Sequence, residues 1–274
     1  MFRHQTRHRS LFVSAFETLE TIFVVAVRNL RMSHGNAVLG LLMSIVQKIL
    51  LVAVMYFMFH LLGMRQMAVQ GDFMLFVMSG IFMFSVHVSA IGRVAGAEGP
   101  TSPMMMHAPM NPIISICGAA LASLYQQILS AVVILFLYHA LVTPITIDNP
   151  IGLVGILLLA WISGVGIGMV ILSAKPWQPD LMSILATLIM RANMIASGKM
   201  VLANNTPASV RSWFDWNPLF HVIDQGRGHI FLNYTPRYTS IEYPLYVTLV
   251  LVVIGLMAEF FTRQYASASW GKRR

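Results

Sequence analysis

The chain has 274 residues, of which 57% are hydrophobic and only 10% are charged. A water-soluble domain of this length carries far more surface charge, so the composition excludes a soluble protein and indicates that lipid surrounds most of the chain. The formal net charge of +8 comes largely from basic residues near the two ends, as the positive-inside rule predicts, and not from a basic face that could bind nucleic acid.

The first predicted element is an amphipathic helix over residues 11–32. Apolar residues recur there at three- and four-residue steps, whereas Glu17, Arg28 and Arg31 lie on another face. Such a segment is too polar to span a bilayer, so we expect it to lie along the cytoplasmic interface. Residues 1–36 would then form a cytoplasmic tail that includes this helix.

Six apolar segments of about 20 residues follow, each long enough to cross the membrane. They predict an all-α integral membrane protein with spans at 37–62, 73–96, 113–142, 152–174, 181–202 and 244–261. Residues 37–262 would form one transmembrane domain, followed by a basic tail over residues 263–274. An even number of spans places both termini on the same side of the membrane. The basic clusters near both ends indicate that this side is the cytoplasm.

Two connections between the spans are unusual. Residues 97–112 are predicted to be internal, and their four prolines exclude one long helix. This loop either presents a small Met-rich knob to a partner or is simply a rigid turn. Residues 203–243 form a long external segment that is too rich in Trp, Phe and Ile for a solvated loop, so we expect short helices that partly re-enter the outer leaflet.

The sequence lacks the common catalytic and nucleotide-binding motifs. It contains no G-x-x-x-x-G-K-[S/T] loop to bind ATP, and acids within the spans are confined to Glu259. Membrane enzymes that transfer glycosyl-phosphate or prenyl groups need clustered carboxylates for a metal. We therefore expect a chain that is not an enzyme, with no catalytic residues, no metal and no directly bound cofactor.

Basic residues within the predicted spans include Lys48, Arg191 and Lys199. Each would cost ~2.5–3.5 kcal/mol at mid-bilayer, so each should face protein or water. Lys48 and Arg191 are near the middle of their spans and could line a route for an anionic substrate. Bonds to carbonyl groups, snorkelling or pairing across a dimer would explain them equally well. Lys199, near the outer end, is expected to snorkel.

Several local motifs follow one another in a recognisable order. They are Val27-Arg28-Asn29-Leu30-Arg31 with Leu39-Gly40, then Phe76-Val77-Met78-Ser79-Gly80-Ile81, then Ala196-Ser197-Gly198, Pro207, and Trp216-Asn217-Pro218-Leu219-Phe220-His221 followed by Arg227. Their order and spacing resemble those of ABC-2 type permeases that export capsule and O-antigen polysaccharides. The chain departs from that family at Lys48, where a proline is common, and at Lys199 and Met200, where aromatic residues are common.

The resemblance implies the permease of an ATP-driven exporter in the bacterial inner membrane. Such a permease forms a homodimer that binds two copies of a separate ATPase subunit, which holds ATP and Mg. The exported material would be a cell-surface polysaccharide, in lipid-linked form. Residues 97–112 would contain a coupling helix for the ATPase, with Glu98, Pro100, Met104, Met105 and His107 as the candidate contacts.

The same resemblance assigns an external gate to Ser197, Gly198, Asn217, Pro218 and Arg227. A sugar chain needs a wide, smooth conduit, in which aromatic faces let sugar rings slide. Aromatic residues that could serve beside Lys48 and Arg191 are Phe57, Phe76, Phe82, Phe84 and Trp161, although packing is the more common role of such residues in a span.

Three alternative functions stay open. A permease for drugs or other lipids would share the whole architecture. A membrane-embedded glycan enzyme is opposed by the missing carboxylate cluster, and a secondary carrier is opposed by the lack of a detectable inverted repeat.

Overall fold

The computed structural model of the chain describes residues 11–32, 37–61, 72–99 and 111–271. Within these ranges the chain forms nine α-helices and one short 3₁₀ turn, and it forms no β-strand. The helices are α1 Leu11–Met32, α2 Ala37–Leu61, α3 Phe73–Ala95, α4 Pro112–Leu141, α5 Pro150–Ala174, α6 Pro179–Ala196, α7 Ala208–Arg211, α8 Pro218–Ile230 and α9 Glu242–Gly271, and the 3₁₀ turn is Ala203–Asn205.

The predicted all-α membrane class is confirmed. Five helices, α2, α3, α4, α5 and α9, are long and apolar enough to cross a bilayer, and α1 has the predicted bounds. The prediction for residues 181–202 was too long, because α6 already ends at Ala196. Its 18 residues reach about 27 Å, slightly less than the ~30 Å hydrocarbon core. The prediction for the last span was instead too short, because α9 continues to Gly271, beyond the predicted end at residue 261.

Helix α3 is the centre of the bundle. In its most apolar stretch 78% of the residues are buried inside the subunit, whereas in the corresponding stretches of the other four long helices 22–44% are. It contacts α2, α4, α5, α6 and α8. Its buried residues, among them Met78 and Ile81, share one core with Ile156 of α5 and Ile223 of α8. The short helix α8 is therefore part of the packed interior of the subunit.

Helices α3 and α5 approach until their backbones touch. Ala160, Gly164 and Gly168 follow one another at four-residue steps along α5, as small residues do where membrane helices pack closely. A β-carbon on Gly164 would overlap the carbonyl of His87, and one on Gly168 would lie 2.7 Å from Val94 Cβ. The two helices consequently form a tightly packed pair.

Helix α1 packs along α4 with one face and leaves the other uncovered. Val25 of α1 lies against Gly118 of α4. The outward residues Phe12, Phe16 and Phe23 are exposed. The amphipathic pattern thus divides α1 into a face that the subunit covers and an apolar face that it leaves free.

Candidate functional site

The chain turns sharply after α6, and the turn depends on Gly198. This residue has φ +64°, the one positive φ among the residues that the structure describes. A β-carbon there would also overlap the ring of Phe220 on α8. Glycine adopts the left-handed conformation without steric cost and permits the close approach. The turn that ends α6 and its contact with α8 therefore both require glycine at this position.

Arg227 of α8 holds this turn from inside the protein. Its side chain is completely buried and donates hydrogen bonds to the carbonyl oxygens of Lys199 at 2.5 Å, Val201 at 2.5 Å and Gly198 at 3.3 Å. Burial lowers the pKa of Arg227 to about 10, against the opposing effect of the Asp224 charge. The guanidinium group therefore stays protonated at neutral pH, and its bonds to the turn are charge-assisted.

A stripe on α3 receives the turn from the other side. Phe76, Gly80 and Phe84 lie four residues apart and so share one face of the helix. The Arg227 guanidinium carbon is 4.0 Å from the centre of the Phe76 ring, and Lys199 Nζ is 3.9 Å from that of Phe84. Two cations thus lie over two rings, at distances typical of cation–π contacts.

The prediction that Lys199 snorkels to the interface was wrong. Its side chain is only 4% exposed, and Nζ has no hydrogen-bond partner among the described residues. The cause is the turn at Gly198, which directs the following residue inward toward α3 instead of outward along a continued helix.

Asn217 fixes the start of α8 to the end of α6. Its Oδ1 accepts a hydrogen bond from Leu219 N at 3.0 Å, as a helix N-cap does, and Pro218 occupies the first helical position. Its Nδ2 donates to Asn193 Oδ1 and to the carbonyl of Ala196, both at 2.9 Å. One side chain therefore caps α8 and binds the last turn of α6.

Asp224 joins the two ends of the segment between α6 and α9. Its carboxylate accepts hydrogen bonds from Ala203 N at 3.2 Å, from the Tyr234 hydroxyl at 2.5 Å and from Thr239 Oγ1 at 2.8 Å. Burial, followed by the Asp224 charge and hydrogen bond, raises the pKa of Tyr234, which therefore stays a neutral donor. Sequence reasoning missed this pair, although an acid three residues before Arg227 in an apolar segment was an available signal.

The structure brings together the five residues expected at the external gate. Ser197 and Gly198 form the turn, Asn217 and Pro218 start α8, and Arg227 binds the turn's carbonyl groups. Ser197 is fully buried in this junction. We call this group of residues, together with Gly80 and Lys199, the α6–α8 junction.

The residues expected along a substrate route do not come together within one subunit. Lys48 is buried between α2 and α4, with Nζ 3.5 Å from the carbonyl oxygen of Gln127. Phe82 lies in the core, and Trp161 Nε1 donates to the carbonyl of Ala120 at 3.0 Å. Phe57 and Arg191 are exposed on α2 and α6. Only the last two are available to a ligand outside the subunit.

The expected coupling contacts are only partly described. Glu98 lies in the described residues just after α3 and is partly exposed. The other four, Pro100, Met104, Met105 and His107, lie outside the described residues. No group of three His, Cys, Asp or Glu residues that could hold a metal occurs in the described ranges.

The described residues thus form a bundle of apolar, membrane-spanning helices with the short helix α8 folded back into it. The family model for the ABC-2 type transporter matches residues 20–231, from within α1 to the residue after α8. The chain belongs to the ABC-2 type transporter family.

Two proteins of Escherichia coli, each named polysialic acid transport protein KpsM, are similar to this chain. They are 26% and 28% identical to it over 258 and 264 residues, and each alignment covers 94% of this chain and 98% of the relative. The similarity therefore extends over nearly the whole chain and not over one segment of it.

Proposed function

We propose that this chain is the membrane permease of an ATP-driven ABC transporter that exports a cell-surface polysaccharide of capsule or O-antigen type, in lipid-linked form, across the bacterial inner membrane. The observation that carries this proposal is the similarity to two polysialic acid transport proteins over 94% of the chain. ATP hydrolysis belongs to a separate subunit, present in two copies.

The proposed topology has six spans, formed by α2 to α6 and α9. Helix α8 re-enters from the outer side and packs against α3, α5 and α9. Six crossings place both basic ends on the cytoplasmic side, as the positive-inside rule favours. In this arrangement α1 lies on the inner membrane surface, with its exposed phenylalanines toward lipid.

The outward face of α6 supports a homodimer. Only Ala186 and Asn193 of this helix are buried in the subunit. Its exposed residues Leu181, Ile184, Leu188, Arg191 and Ile195 follow one another at steps of three and four. A stripe of this kind suits packing against another helix, and an arginine within the hydrocarbon core is costly when it faces lipid. We infer that a second copy approaches this face and that Arg191 lies beside the polymer's route between the copies.

Helix α3 is the proposed connection between the ATPase and the outer side. Its C-terminal end leads into the coupling segment, residues 97–112, through Glu98. Nearby, the guanidinium group of Arg93 donates to the carbonyl of Asn29 in α1 at 3.2 Å. Toward its N-terminal end, the stripe of Phe76, Gly80 and Phe84 receives the turn after α6. Motion imposed on the coupling segment therefore reaches both α1 and the α6–α8 junction through one enclosed helix.

The function is tested by deletion of the gene in its native host and complementation with the same chain. We expect the surface polysaccharide to disappear, the polymer to accumulate inside the cell, and the complemented strain to recover. An unchanged amount of surface polysaccharide would contradict the proposal. Altered drug tolerance or lipid export in that strain would favour the alternative permease function.

A further inference from the structure

A polar cavity of about 330 Å³ lies where the chain leaves α8 and meets the residues that follow α6. Its lining includes Asn204, Asn205, Asn233, Thr235, Arg237 and Tyr238. We call it the asparagine cavity. We propose that it binds an acidic saccharide unit of the exported polymer, an inference that rests on the proposed function. It is separate from the α6–α8 junction, with which it shares none of these residues.

The floor of the asparagine cavity is built from internal hydrogen bonds. Asn204 Nδ2 donates to the carbonyl of Thr235 at 2.8 Å, and Arg237 N donates to Asn204 Oδ1 at 3.0 Å. Tyr234, which also lines the cavity, is held through its hydroxyl by Asp224. These bonds lock the stretch after α6 to the stretch after α8, so the cavity exists before a ligand arrives, which reduces the entropy lost on binding.

The rim offers polar groups that the protein itself does not use. Among the described residues, no hydrogen bond is made by the side chains of Asn205, Asn233, Thr235 and Arg237, all of which are exposed. An amide side chain donates and accepts in one plane, and a hydroxyl does both. Groups of this kind match the adjacent hydroxyls and acetamido groups of sugar rings, which also donate and accept.

The charge of the cavity selects an acidic unit. None of the described residues that line it is acidic. The Arg237 guanidinium is free to form two parallel bonds to a carboxylate or phosphate. A second cation, Arg211, stacks over the Tyr238 ring at 3.6 Å, while its Nε is 3.9 Å from Asp215 Oδ2. The volume is at the lower end of the ~300–1,000 Å³ range of small-molecule sites, which suits one or two sugar rings.

A direct binding measurement tests this inference independently of export. The full-length chain, purified with its ATPase partner in lipid nanodiscs, is titrated with a tetrasaccharide of alternating glucuronic acid and N-acetylglucosamine, and separately with neutral maltotetraose. Binding is followed by saturation-transfer NMR. Arg237→Gln removes the free guanidinium, and Asn233→Ala and Asn205→Ala each remove one lining amide. Arg263→Gln on α9 is the charge-matched control.

We expect the wild-type chain and Arg263→Gln to bind the acidic probe more tightly than the neutral one. We expect Arg237→Gln to weaken acidic binding about tenfold or more, since a bond to a charged group is lost, and either Asn variant to weaken it less. Equal binding of the two probes, or an Arg237→Gln variant that binds like Arg263→Gln, would overturn the inference. That result leaves the proposed function standing, because the deletion experiment depends only on export.

Discussion

Gly80 of α3 lies directly against the backbone carbonyl of Lys199: a β-carbon at position 80 would be 2.5 Å from that oxygen and 2.8 Å from Arg227 Nη2. Both distances are below van der Waals contact. The missing side chain on α3 therefore admits the turn after α6 and also the guanidinium group that binds the turn. The two motifs that contain Gly80 and Gly198 are thus parts of one packed junction.

Gly80→Ala should destabilise the protein, because the new methyl group displaces the turn or the guanidinium group. Overpacking of this kind lowers the free energy of unfolding by about 1–3 kcal/mol. This loss outweighs the gain of ~1 kcal/mol that alanine brings because it favours the helix more than glycine does. The matched control is Gly155→Ala on α5, where a β-carbon meets nothing within 4 Å. Thermal unfolding in detergent should show a lower Tm for Gly80→Ala and an unchanged or higher one for Gly155→Ala. Equal Tm values in the two variants would contradict the described packing.

Substitution of Arg227 should separate the effect of charge from that of geometry. Arg227→Gln removes the cation and leaves buried carbonyls without donors, which costs roughly 1–3 kcal/mol for each such group. Arg227→Lys keeps a charge but cannot fork across three oxygens, so its loss of stability should be intermediate. Arg263→Gln, at an exposed position on α9, is the control. We expect Tm to fall from the wild type to Arg227→Lys and further to Arg227→Gln, and export to fall in the same order. An Arg227→Gln variant as stable as the wild type would refute the assigned role.

A double-mutant cycle measures the bond between Asp224 and Tyr234. Asp224→Asn removes the charge and Tyr234→Phe removes the hydroxyl, and a direct contact should give a coupling energy of about 0.5–3 kcal/mol in unfolding experiments. Tyr246→Phe, at an exposed position on α9, should have no measurable effect. Additive effects of the two single substitutions would show that the hydroxyl does not bind the carboxylate.

Disulfide crosslinking tests the homodimer at α6. Cys117 is replaced by serine, so that each variant carries one cysteine. Leu188→Cys on the outward face of α6 should form a crosslinked band at twice the 30.5 kDa chain mass on oxidation in native membranes, and Ile195→Cys provides a second position on the same face. Val253→Cys, equally outward on α9, should stay monomeric. A crosslink at position 253 without one on α6 would move the interface away from the proposed face.

Co-purification of the ATPase tests the coupling segment. Met104→Asp combined with Met105→Asp places two charges in the segment proposed to dock on the ATPase, and the ATPase should no longer co-purify from native membranes. Met67 lies between the predicted spans 37–62 and 73–96, which places it on the opposite side of the membrane from residues 97–112. Met67→Asp should therefore retain the ATPase. Retention of the ATPase by the double variant, with the protein inserted normally, would exclude this segment as the docking element.

The helices follow closely from the sequence because long apolar stretches in lipid have few alternatives to a helix. The bounds of α1 are as predicted, and α5 differs only by two residues at its start. The end of α6 could not be predicted from hydropathy. Met200, Val201 and Leu202 continue the apolar run, but the φ of Gly198 has already turned the chain away from a helix.

The composition of the α6–α8 junction could be predicted only in part. The five residues expected at a gate came from motif order, and they do lie together. The inward position of Lys199 depends on the missing side chain at Gly80, about 120 residues earlier in the chain. Likewise, the bond between Asp224 and Tyr234 links two sides of a folded segment. Such contacts are set by tertiary packing, which local patterns do not report.

The short length of α6 bears on how the chain enters the membrane during synthesis. With 18 residues that include an arginine, which costs up to ~2.5–3.5 kcal/mol on the insertion scale, this helix gains little from entering lipid by itself. Its neighbours in the subunit, α3 and α5, are both made before it. Insertion of α6 in the proposed six-span arrangement thus depends on helices that have already left the ribosome, and the order of synthesis becomes a condition for assembling the permease.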